Sequence, residues 1–540
     1  MQYTDPDTDR PLLISSVLSH AEQQYGDVQI VSRETHGPLF RYTYAEAAHR
    51  ARRLARALSR LGLADGDVVG SIAWNNHRHL ESYFAVSGSG MVMHTCNPRL
   101  QIEQLAYIIN HADDRVVLFD TSFAGQVELL AERCPGVEAW IALCGGSCMP
   151  DLPGVACLLC YETLLEAEPD DFVWPELDEC KAAALCYTSG TTGNPKGVLY
   201  SHRKIILNSL VLSLPGSMSL SAQDCVLPAV PMFHINAWCI PYAAPINGSK
   251  LVLPGPNLDG ASLYAMIEAE AVTVSAGVPT IWHGLAQYLE AGSKRFSTFR
   301  RAVVGGAAMA PSLIATYEAD FNVEVRCGWG MTETTAVATM SGLLPKHEDL
   351  ADAEQHVLRS RPGRALFGAE VKIVDEAGQT LPRDGAAVGE LCVRGLWVLS
   401  AYFKGESSPL RDGWFPTGDV AKIDPDGVVQ ITDRVKDVIK SGGEWISSID
   451  LEHAAMAHPA VALASVIGVR HPKWDERPLM FVVRNPAQSV ERDELLAFLS
   501  TRVARWWLPD DIVFLDALPL GGTGKVDKLS LRRRYASAFA

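Results

Sequence analysis

No stretch of the 540-residue sequence is both apolar and unbroken over the length needed to cross a membrane. The most apolar segment, residues 226–246, is interrupted by four prolines and by His234 and Asn236, whereas a spanning helix needs about 20 consecutive apolar residues. The first residues, MQYTDPD, have neither a basic start nor an apolar core, so they do not predict a signal peptide. We therefore expect residues 226–246 to form a buried, broken segment near a site.

Basic residues are in the minority, since 47 Lys and Arg face 63 Asp and Glu, for a formal net charge of −16. This balance counts against non-specific nucleic-acid binding and favours a cytoplasmic protein. We detect no internal repeat or low-complexity tract. Twelve cysteines without a secretion signal predict reduced thiols rather than a disulfide framework.

One group of cysteines, Cys144, Cys148, Cys157 and Cys160, has a spacing that also fits a metal site. Two close pairs can supply the four ligands of tetrahedral zinc. However, the last two lie in the sequence VACLLC, which is typical of a partly buried strand, and cysteine is common in protein cores. A structural role is the favoured interpretation, and zinc is the alternative.

Helical and strand patterns alternate in the first half of the chain. Thr43 and Glu46 form a possible capping box before a helix, and Leu80–Met93 is typical of a second, tightly packed helix. Strands are predicted at Asp67–Trp74 and Arg115–Asp120. Such alternation indicates an α/β architecture with a largely parallel sheet.

The pattern changes twice in the second half. From Ala365 to Gln430, short β-rich runs separated by Gly, Pro and Asp predict a compact antiparallel subdomain. After Lys436 the pattern becomes mixed, with a strand at Ala462–Val469 and a helix at Val490–Val503. We therefore place a boundary near residues 433–436 and expect a small α+β domain after it.

The strongest chemical signal is the loop Tyr187–Gly197, of sequence YTSGTTGNPKG. Glycines allow the backbone to approach a ligand closely, hydroxyls donate hydrogen bonds, and Lys196 adds positive charge. The loop is not a Walker A motif, because no Gly-Lys-Ser/Thr ending occurs at the required spacing. A lone Gly/Thr turn is usually structural, but the unbroken run from Thr188 to Gly193 favours polyphosphate binding.

This loop resembles the phosphate-binding signature of the adenylate-forming superfamily, which includes acyl-CoA synthetases, luciferases and peptide-synthetase adenylation domains. The resemblance covers nearly the whole chain and is greatest for fatty-acyl-CoA synthetases and the related 3-methylmercaptopropionate ligases. It implies an N-terminal ATP- and acyl-binding domain of α/β layers with a small β-rich subdomain, residues 1–433. It also implies a hinge at residues 434–436, centred on Lys436, and a small mobile α+β domain, residues 437–540.

The resemblance implies nucleotide or coenzyme A contacts for small, hydroxyl-bearing, aromatic and charged residues in six segments. They are Thr188, Ser189, Gly190, Thr191, Thr192, Gly193 and Lys196; Gly305, Gly306 and Ala307; Gly328, Trp329, Gly330, Met331 and Thr332; Asp419; Arg434; and Lys440 and Gly443.

Three of these segments, and the neighbouring Glu333, have chemistry that can be stated more closely. Trp329 offers a flat face for adenine, although many relatives have tyrosine there, and tryptophan cannot replace a phenolic hydrogen bond. Glu333 supplies a hard oxygen ligand suited to Mg²⁺. Asp419 would accept hydrogen bonds from the ribose hydroxyls, and Arg434 would contact ribose or phosphate. Without the resemblance, the segment around Arg434 is only a charged linker.

The acid is expected near Pro231–Trp238, of sequence PMFHINAW. An isolated histidine among apolar residues is more often part of a core, but the resemblance places His234 beside the reacting carboxylate. Trp238 is interpreted either as packing or as the lining or gate of an acyl tunnel. Gly305, after the predicted strand Arg301–Val304, would leave room for the acyl chain.

Near the end, Leu518–Val526 carries Lys525, which matches the mobile lysine that stabilises the adenylation transition state in the family. Leu520 stands where many relatives have arginine, so the local anion contacts differ. The resemblance therefore implies four catalytic residues, Lys525, His234, Thr188 and Glu333.

The reaction implied is AMP-forming acyl-CoA synthesis from a carboxylic acid, ATP, Mg²⁺ and coenzyme A. A medium- to long-chain fatty acid is the first expectation, with 3-methylmercaptopropionate or another short, branched or aryl acid as the alternative. Loading of a carrier protein, a luciferase-like oxygenase and a catalytically dead scaffold are weaker alternatives. A homodimer is possible.

Overall fold

A computed structural model describes residues 10–35, 38–188, 194–405, 408–434, 436–441, 444–485, 488–522, 524–536 and 538–539. The side chains of residues 444 and 445 are not described. The strands are, in chain order, β1 Gln29–Arg33, β2 Leu39–Thr43, β3 Val68–Ile72, β4 Val92–Thr95, β5 Asp114–Phe119, β6 Ala139–Ala142, β7 Leu158–Cys160, β8 Ala182–Tyr187, β9 Gly197–Ser201, β10 Cys225–Pro228, β11 Lys250–Leu253, β12 Val274–Gly277, β13 Arg301–Val304, β14 Glu324–Trp329, β15 Thr339–Met340, β16 Arg364–Ala365, β17 Ala369–Val374, β18 Gly389–Gly395, β19 Phe415–Ile423, β20 Val429–Arg434, β21 Ile439–Ser441, β22 Glu444–Ile446, β23 Val461–His471, β24 Asp475–Arg484 and β25 Asp511–Phe514.

The right-handed α-helices of the described residues are Ile14–Tyr25, Tyr44–Arg60, His77–Gly88, Ile102–Ala112, Ala124–Ala131, Tyr161–Glu166, His202–Ser213, Ile240–Asn247, Gly260–Glu270, Pro279–Ala291, Pro311–Ala315, Asp352–Ser360, Ser448–Met456, Arg492–Ser500 and Lys528–Arg534.

Two large sheets form the first part of the chain. One has the order β7-β6-β5-β3-β4-β8-β9 and is parallel except between β8 and β9. The other has the order β16-β15-β14-β13-β12-β10-β11-β1-β2, and its central strands from β14 to β1 are parallel. The central parallel strands are rich in Val, Leu, Ile and Ala and are largely buried, as expected for parallel strands covered by helices on both faces. The predicted α/β architecture is confirmed.

The second half contains two smaller sheets. An antiparallel sheet, β17-β18-β19-β20, matches the expected β-rich subdomain. After Arg434, β22, β21, β24 and β23 form an antiparallel sheet, and β25 joins β24 in parallel. The helices Ser448–Met456 and Arg492–Ser500 bury Leu451, Leu495 and other apolar residues in the core cluster that this sheet shares. The mixed α+β character of this part is confirmed.

Local predictions agree with the structure most closely where capping chemistry is explicit. The Thr43 hydroxyl accepts a hydrogen bond from the Glu46 backbone, and the Glu46 carboxylate accepts one from the Thr43 backbone, so the capping box is present. The prediction of one helix from Leu80 to Met93 is wrong at its C-terminal end. That helix stops at Gly88, because Gly90 adopts φ +88° and the chain then enters β4 as a buried strand.

The apolar segment 226–246 is buried and broken, as expected. It begins in β10 and ends in the helix Ile240–Asn247, and between them lies a short turn whose residues have positive φ. In the described part of the chain, no helix combines the length and apolar character needed to span a membrane.

Candidate active site

The carboxyl ends of adjacent parallel strands gather most of the candidate residues. In the second sheet, β10, β12, β13 and β14 are neighbours, so the segments that follow them lie along one edge. Those segments carry His234, the helix Pro279–Ala291, Gly305–Ala307 and the residues after Trp329. In the first sheet, β4 and β8 are neighbours and lead to Asn97 and Thr188. Ligands of open α/β sheets bind at such edges.

Lys525 reaches this edge from the C-terminal part of the chain. A β-carbon built on Gly306 would lie 2.9 Å from Cε and 3.5 Å from Nζ of Lys525. Gly306 also has φ +83°, a conformation that disfavours other residues. The absence of a side chain at Gly306 therefore lets Lys525 lie directly over the loop after β13.

The charges around Lys525 leave its ammonium incompletely compensated. Burial and the positive charge of Arg434 lower the pKa of Lys525 to about 8, although Asp419 opposes them. Burial and the nearby Lys525 lower the pKa of His234 to about 3, so His234 is neutral near pH 7. A buried cation beside a neutral imidazole suits an anionic ligand such as a phosphate or carboxylate.

Trp329, Asp419 and Arg434 form a connected group, and the charges of Asp419 and Arg434 act on Lys525. The indole Nε1 of Trp329 donates a hydrogen bond of 2.8 Å to Oδ2 of Asp419. Nε of Arg434 lies 3.3 Å from Oδ1 of the same carboxylate, because β19 and β20 pair Asp419 directly with Arg434. At this position, where many relatives have tyrosine, the indole N–H of Trp329 therefore orients the aspartate.

Glu333 is buried and held by a residue that sequence motifs do not indicate. The Tyr402 hydroxyl donates a 2.8 Å hydrogen bond to Oε1 of Glu333. Burial raises the pKa of Glu333 above its ordinary value, although Tyr402, Arg434 and Lys196 act in the opposite direction. Among the described residues, Tyr402 is the side-chain donor on this carboxylate, and a carboxylate oxygen is a ligand that Mg²⁺ prefers. The site therefore fits Mg²⁺.

The described ends of the glycine-rich loop are tied together. The Thr188 backbone N–H donates to the Lys196 carbonyl at 2.9 Å, and the Lys196 backbone N–H donates to the Thr188 hydroxyl at 3.1 Å. Nζ of Lys196 lies 4.9 Å from the ring centroid of Tyr402, which connects this loop to the Glu333 group. Ser189, Gly190, Thr191, Thr192 and Gly193 lie outside the described residues.

The motif Gly328–Thr332 turns sharply after β14. A β-carbon on Gly330 would lie 1.5 Å from the carbonyl oxygen of Ala336, so only glycine fits there. The Tyr200 hydroxyl donates to the Thr332 carbonyl at 2.7 Å and fixes the same turn from β9. Gly328 lies within β14, and Met331 packs against the main core cluster.

Trp238 lies in a left-handed turn after His234. The residues Ile235 to Cys239 all have φ between 46° and 62°. A β-carbon on Gly305 would lie 2.9 Å from Cη2 of Trp238, so the indole packs on that glycine and is 9% exposed. The structure therefore brings together Trp238 and Gly305, two of the residues predicted to face the acid.

The segment proposed to serve coenzyme A lies elsewhere. Lys440 lies on β21, where its backbone N–H donates to Oε2 of Glu476 at 3.0 Å. Among the residues that the structure describes, Lys440 therefore contacts its own sheet rather than the Lys525 group. Gly443 is outside the described residues. Lys436 follows Arg434, whose carbonyl accepts hydrogen bonds from the backbones of Asp437 and Val438.

The cysteine cluster does not have the geometry of a zinc site. All twelve cysteines are free, and Sγ of Cys160 lies 3.2 Å from the Cys144 carbonyl oxygen. Among the described residues, the group with metal-like geometry is His94, Cys96 and Asp114. The carboxylate of Asp114 lies 2.9 Å from Nδ1 of His94, so these buried groups already satisfy each other.

Arg99, Thr280 and Tyr402 were not predicted. Each lies outside a glycine-rich or catalytic motif, and each acts on a residue more than 60 positions away in sequence. A local pattern therefore cannot indicate them. The one sequence signal for Arg99 and Thr280 is that they lie a few residues after the ends of β4 and β12.

Comparisons with known proteins agree with this geometry. Residues 18–403 match the protein family described as AMP-binding enzyme. Residues 450–525 match the family described as AMP-binding enzyme C-terminal domain. The chain is 49% identical to a 3-methylmercaptopropionyl-CoA ligase of Ruegeria lacuscaerulensis, over 98% of each protein. It is 47% identical to a medium-chain-fatty-acid–CoA ligase of Ectopseudomonas oleovorans, over 97% of this chain and 96% of that protein.

A solved structure supports the fold independently. The crystal structure of the anthranilate CoA ligase AuaEII in complex with anthranoyl-AMP has a TM-score of 0.87 and covers 99% of both chains. At 21% identity, this likeness establishes the fold alone.

Proposed function

Because the chain belongs to the family of AMP-binding enzymes, we propose that it is an AMP-forming acyl-CoA synthetase. It joins a carboxylic acid to coenzyme A and converts ATP to AMP and diphosphate. The observation that carries the proposal is the position of Lys525, which lies over Gly306 and beside His234, with Asp419 and Arg434 nearby. At that point the ammonium of Lys525 can contact both the nucleotide and the acid.

In the first step, a carboxylate oxygen of the acid attacks the α-phosphorus of ATP. The bond from that phosphorus to the bridging oxygen breaks, and diphosphate leaves with the electron pair. Protonated Lys525 stabilises the charge on the transferring phosphate, while Thr188 and Thr332 position phosphate oxygens. Bound Mg²⁺ would neutralise phosphate charge, and Glu333, oriented by Tyr402, would hold it.

His234 orients the acid in this proposal and does not act as a base. Its pKa of about 3 keeps the imidazole neutral, and a carboxylic acid is already ionised at neutral pH. The ribose is held by Asp419, whose carboxylate is fixed between Trp329 and Arg434. Trp329 and the backbone of Gly305–Ala307 then enclose the adenine.

In the second step, the sulfur of coenzyme A attacks the acyl carbon, and the bond from that carbon to the AMP oxygen breaks. The thiol proton leaves to solvent. We propose that residues 1–433 and 437–540 are separate domains and that 434–436 is a hinge centred on Lys436. Rotation would exchange Lys525 for the segment containing Lys440 and Gly443.

The hinge can be tested by changing Lys436 to proline, because proline restricts φ. We expect thioester formation to slow about tenfold or more while adenylation stays within about twofold, since Lys525 already lies against Gly306 without any rotation. Lys436→Ala is the matched control, because it removes the side chain without fixing the backbone. Equal losses in both half-reactions would contradict the hinge.

For the acid, we propose a medium- to long-chain fatty acid first. The buried, apolar surroundings of Trp238 and the fatty-acid ligase relative support it. A short thioether acid is the second candidate, because a relative of similar identity is a 3-methylmercaptopropionyl-CoA ligase. The ratio of kcat/KM across acids of graded length distinguishes the two.

The test of the function is release of diphosphate and AMP from MgATP across an acid panel, with and without coenzyme A. The proposal requires multiple turnovers only with coenzyme A and a clear optimum of acid. Adenylation that coenzyme A cannot discharge would indicate a carrier-protein acceptor instead. No release with any acid would favour a protein without catalysis.

Location and assembly are further parts of the proposal. A cytoplasmic location is supported by the twelve free cysteines, because thiols persist in reducing compartments. Location of a tagged chain in its host tests this point. A homodimer is also proposed, and light scattering of the purified chain distinguishes it from a monomer.

A further inference from the structure

We propose that Thr280 and Arg99 are positioning residues that clamp the backbone of the Lys525 loop for the adenylation step and must release it for the thioester step. The inference rests on the proposed function, because it requires two half-reactions that use different arrangements of one chain. Here the lysine loop means residues 521–525, of which residue 523 is outside the described part. The clamp consists of two side chains from the N-terminal part that hold two carbonyls of this loop.

Thr280 holds one side of the loop. It is the second residue of the helix Pro279–Ala291, which begins directly after β12, and its hydroxyl donates a 3.0 Å hydrogen bond to the Gly524 carbonyl. The side chain of the neighbouring Val278 lies between the two glycines: β-carbons built on Gly306 and Gly524 would lie 3.3 and 3.4 Å from its methyl carbons. The bond therefore fixes the residue that immediately precedes Lys525 above the loop after β13.

Arg99 holds the other side. Its Nη1 donates a 3.3 Å hydrogen bond to the Gly522 carbonyl. The guanidinium carbon lies 5.9 Å from the ring centroid of Trp74 and 6.0 Å from that of Phe233. These rings hold the guanidinium in place, and burial lowers the pKa of Arg99. Phe233 adjoins His234, so Arg99 connects the acid segment to the lysine loop.

The internal bonds of the loop convert these two contacts into a fixed position for Lys525. The Gly521 backbone donates to the Lys525 carbonyl at 2.7 Å, and the Gly524 backbone donates to the Gly521 carbonyl at 2.9 Å. A β-carbon on Gly522 would lie 2.8 Å from Nδ2 of Asn97, so the loop packs closely on the segment after β4. Holding Gly522 and Gly524 therefore leaves little freedom to the backbone of Lys525.

The clamp also explains how the loop is held although Leu520 carries no charge. Leu520 is 54% exposed and donates nothing to the site. The positive charge and the hydrogen-bond donors instead come from the N-terminal part of the chain, through Arg99 and Thr280. Because both bonds cross between the two parts of the chain, they break when the C-terminal part rotates away.

The experiment measures the two half-reactions separately in the full-length chain. Single-turnover diphosphate release without coenzyme A reports adenylation, and chemically prepared acyl-adenylate mixed with coenzyme A reports thioester formation. Thr280→Val removes the hydroxyl at nearly constant volume, and Arg99→Met removes the guanidinium but keeps an apolar stem. We expect each to slow adenylation about fivefold, as for loss of one hydrogen bond, and to leave thioester formation within about twofold.

Two further variants separate positioning from general structure. Thr280→Ser retains a hydroxyl and should restore adenylation. Thr298→Val is the matched control, because it also removes a 3.0 Å hydroxyl bond to a carbonyl, that of Val272, away from the lysine loop. We expect wild-type rates from both.

The outcomes are distinguishable from failure of the proposed function. If the wild-type chain performs neither half-reaction, the function itself is wrong. If the wild type performs both, the clamp is refuted by Thr280→Val and Arg99→Met variants that keep the wild-type adenylation rate. It is equally refuted if they slow both half-reactions to the same extent. Selective loss of adenylation, restored by Thr280→Ser, supports the clamp.

Discussion

Adenylation should lose rate above pH 8, because Lys525 then loses its proton. Burial and the charge of Arg434 lower the pKa of Lys525 to about 8, against the opposing effect of Asp419. The protonated form is the active one, so activity is retained below this pKa and falls above it. At one pH unit above the pKa about one-tenth of the lysine is protonated, which predicts a tenfold lower kcat/KM near pH 9 and about a hundredfold near pH 10.

The measurement is the second-order rate constant kcat/KM for ATP, taken from single-turnover diphosphate release with the enzyme in excess over ATP, at saturating acid and without coenzyme A, between pH 6.5 and 10. Omitting coenzyme A removes the ionisation of its thiol from the profile. His234 has a pKa of about 3 and adds no limb in this range. Lys525→Arg provides the comparison, because a guanidinium remains charged throughout. We expect that variant to be slower but flat with pH above 7.

Two results would refute this reasoning. A fall in rate that is shared by wild type and Lys525→Arg would assign the limb to another group. A wild-type limb above pH 10 would show that Lys525 is hydrated in the free enzyme, so that the lysine loop is not held against Gly306 before ATP binds.

Three substitutions test other contacts. Trp329→Phe removes the hydrogen bond to Asp419 and should raise KM for ATP about fivefold with little change in kcat; an unchanged KM would contradict the orienting role. Tyr402→Phe leaves Glu333 without its hydroxyl donor and should raise the Mg²⁺ concentration for half-maximal activity about tenfold; a drop in kcat alone, at any Mg²⁺ concentration, would contradict this. Trp397→Ala removes a fully buried indole that donates to the Val337 carbonyl at 3.0 Å, and urea unfolding should show a loss of about 3–5 kcal/mol, with Trp397→Phe losing less.

The sequence predicts the elements of the site better than their connections. The strand predicted at Arg301–Val304 is confirmed as β13, and parallel strands deliver the loops that follow them to one edge of a sheet. Tyr402 could not be predicted, because its contact with Glu333 spans 69 residues and depends on how two sheets pack. The same holds for Thr280, which meets Gly524 from 244 residues away.

Trp329 shows a second limit of prediction from the sequence. The sequence indicates that Trp329 loses the phenolic hydrogen bond that tyrosine offers. It does not indicate that the indole N–H lies 2.8 Å from Asp419 and orients that carboxylate. Similarly, the helix beginning near Leu80 is evident from its apolar pattern, but its end at Gly88 depends on β4 competing for the next buried residues.

The left-handed turn Ile235–Cys239 has a consequence for redesign of the acid specificity. Such φ values cost L-residues about 1–2 kcal/mol each, so the turn persists only while the packing around it holds five residues in place. Truncating its buried neighbours to enlarge a pocket would weaken that packing, and the backbone would relax and carry Trp238 away from Gly305. Libraries that aim to change the acid should therefore keep the neighbours fixed and vary Trp238 and Gly305 as a pair.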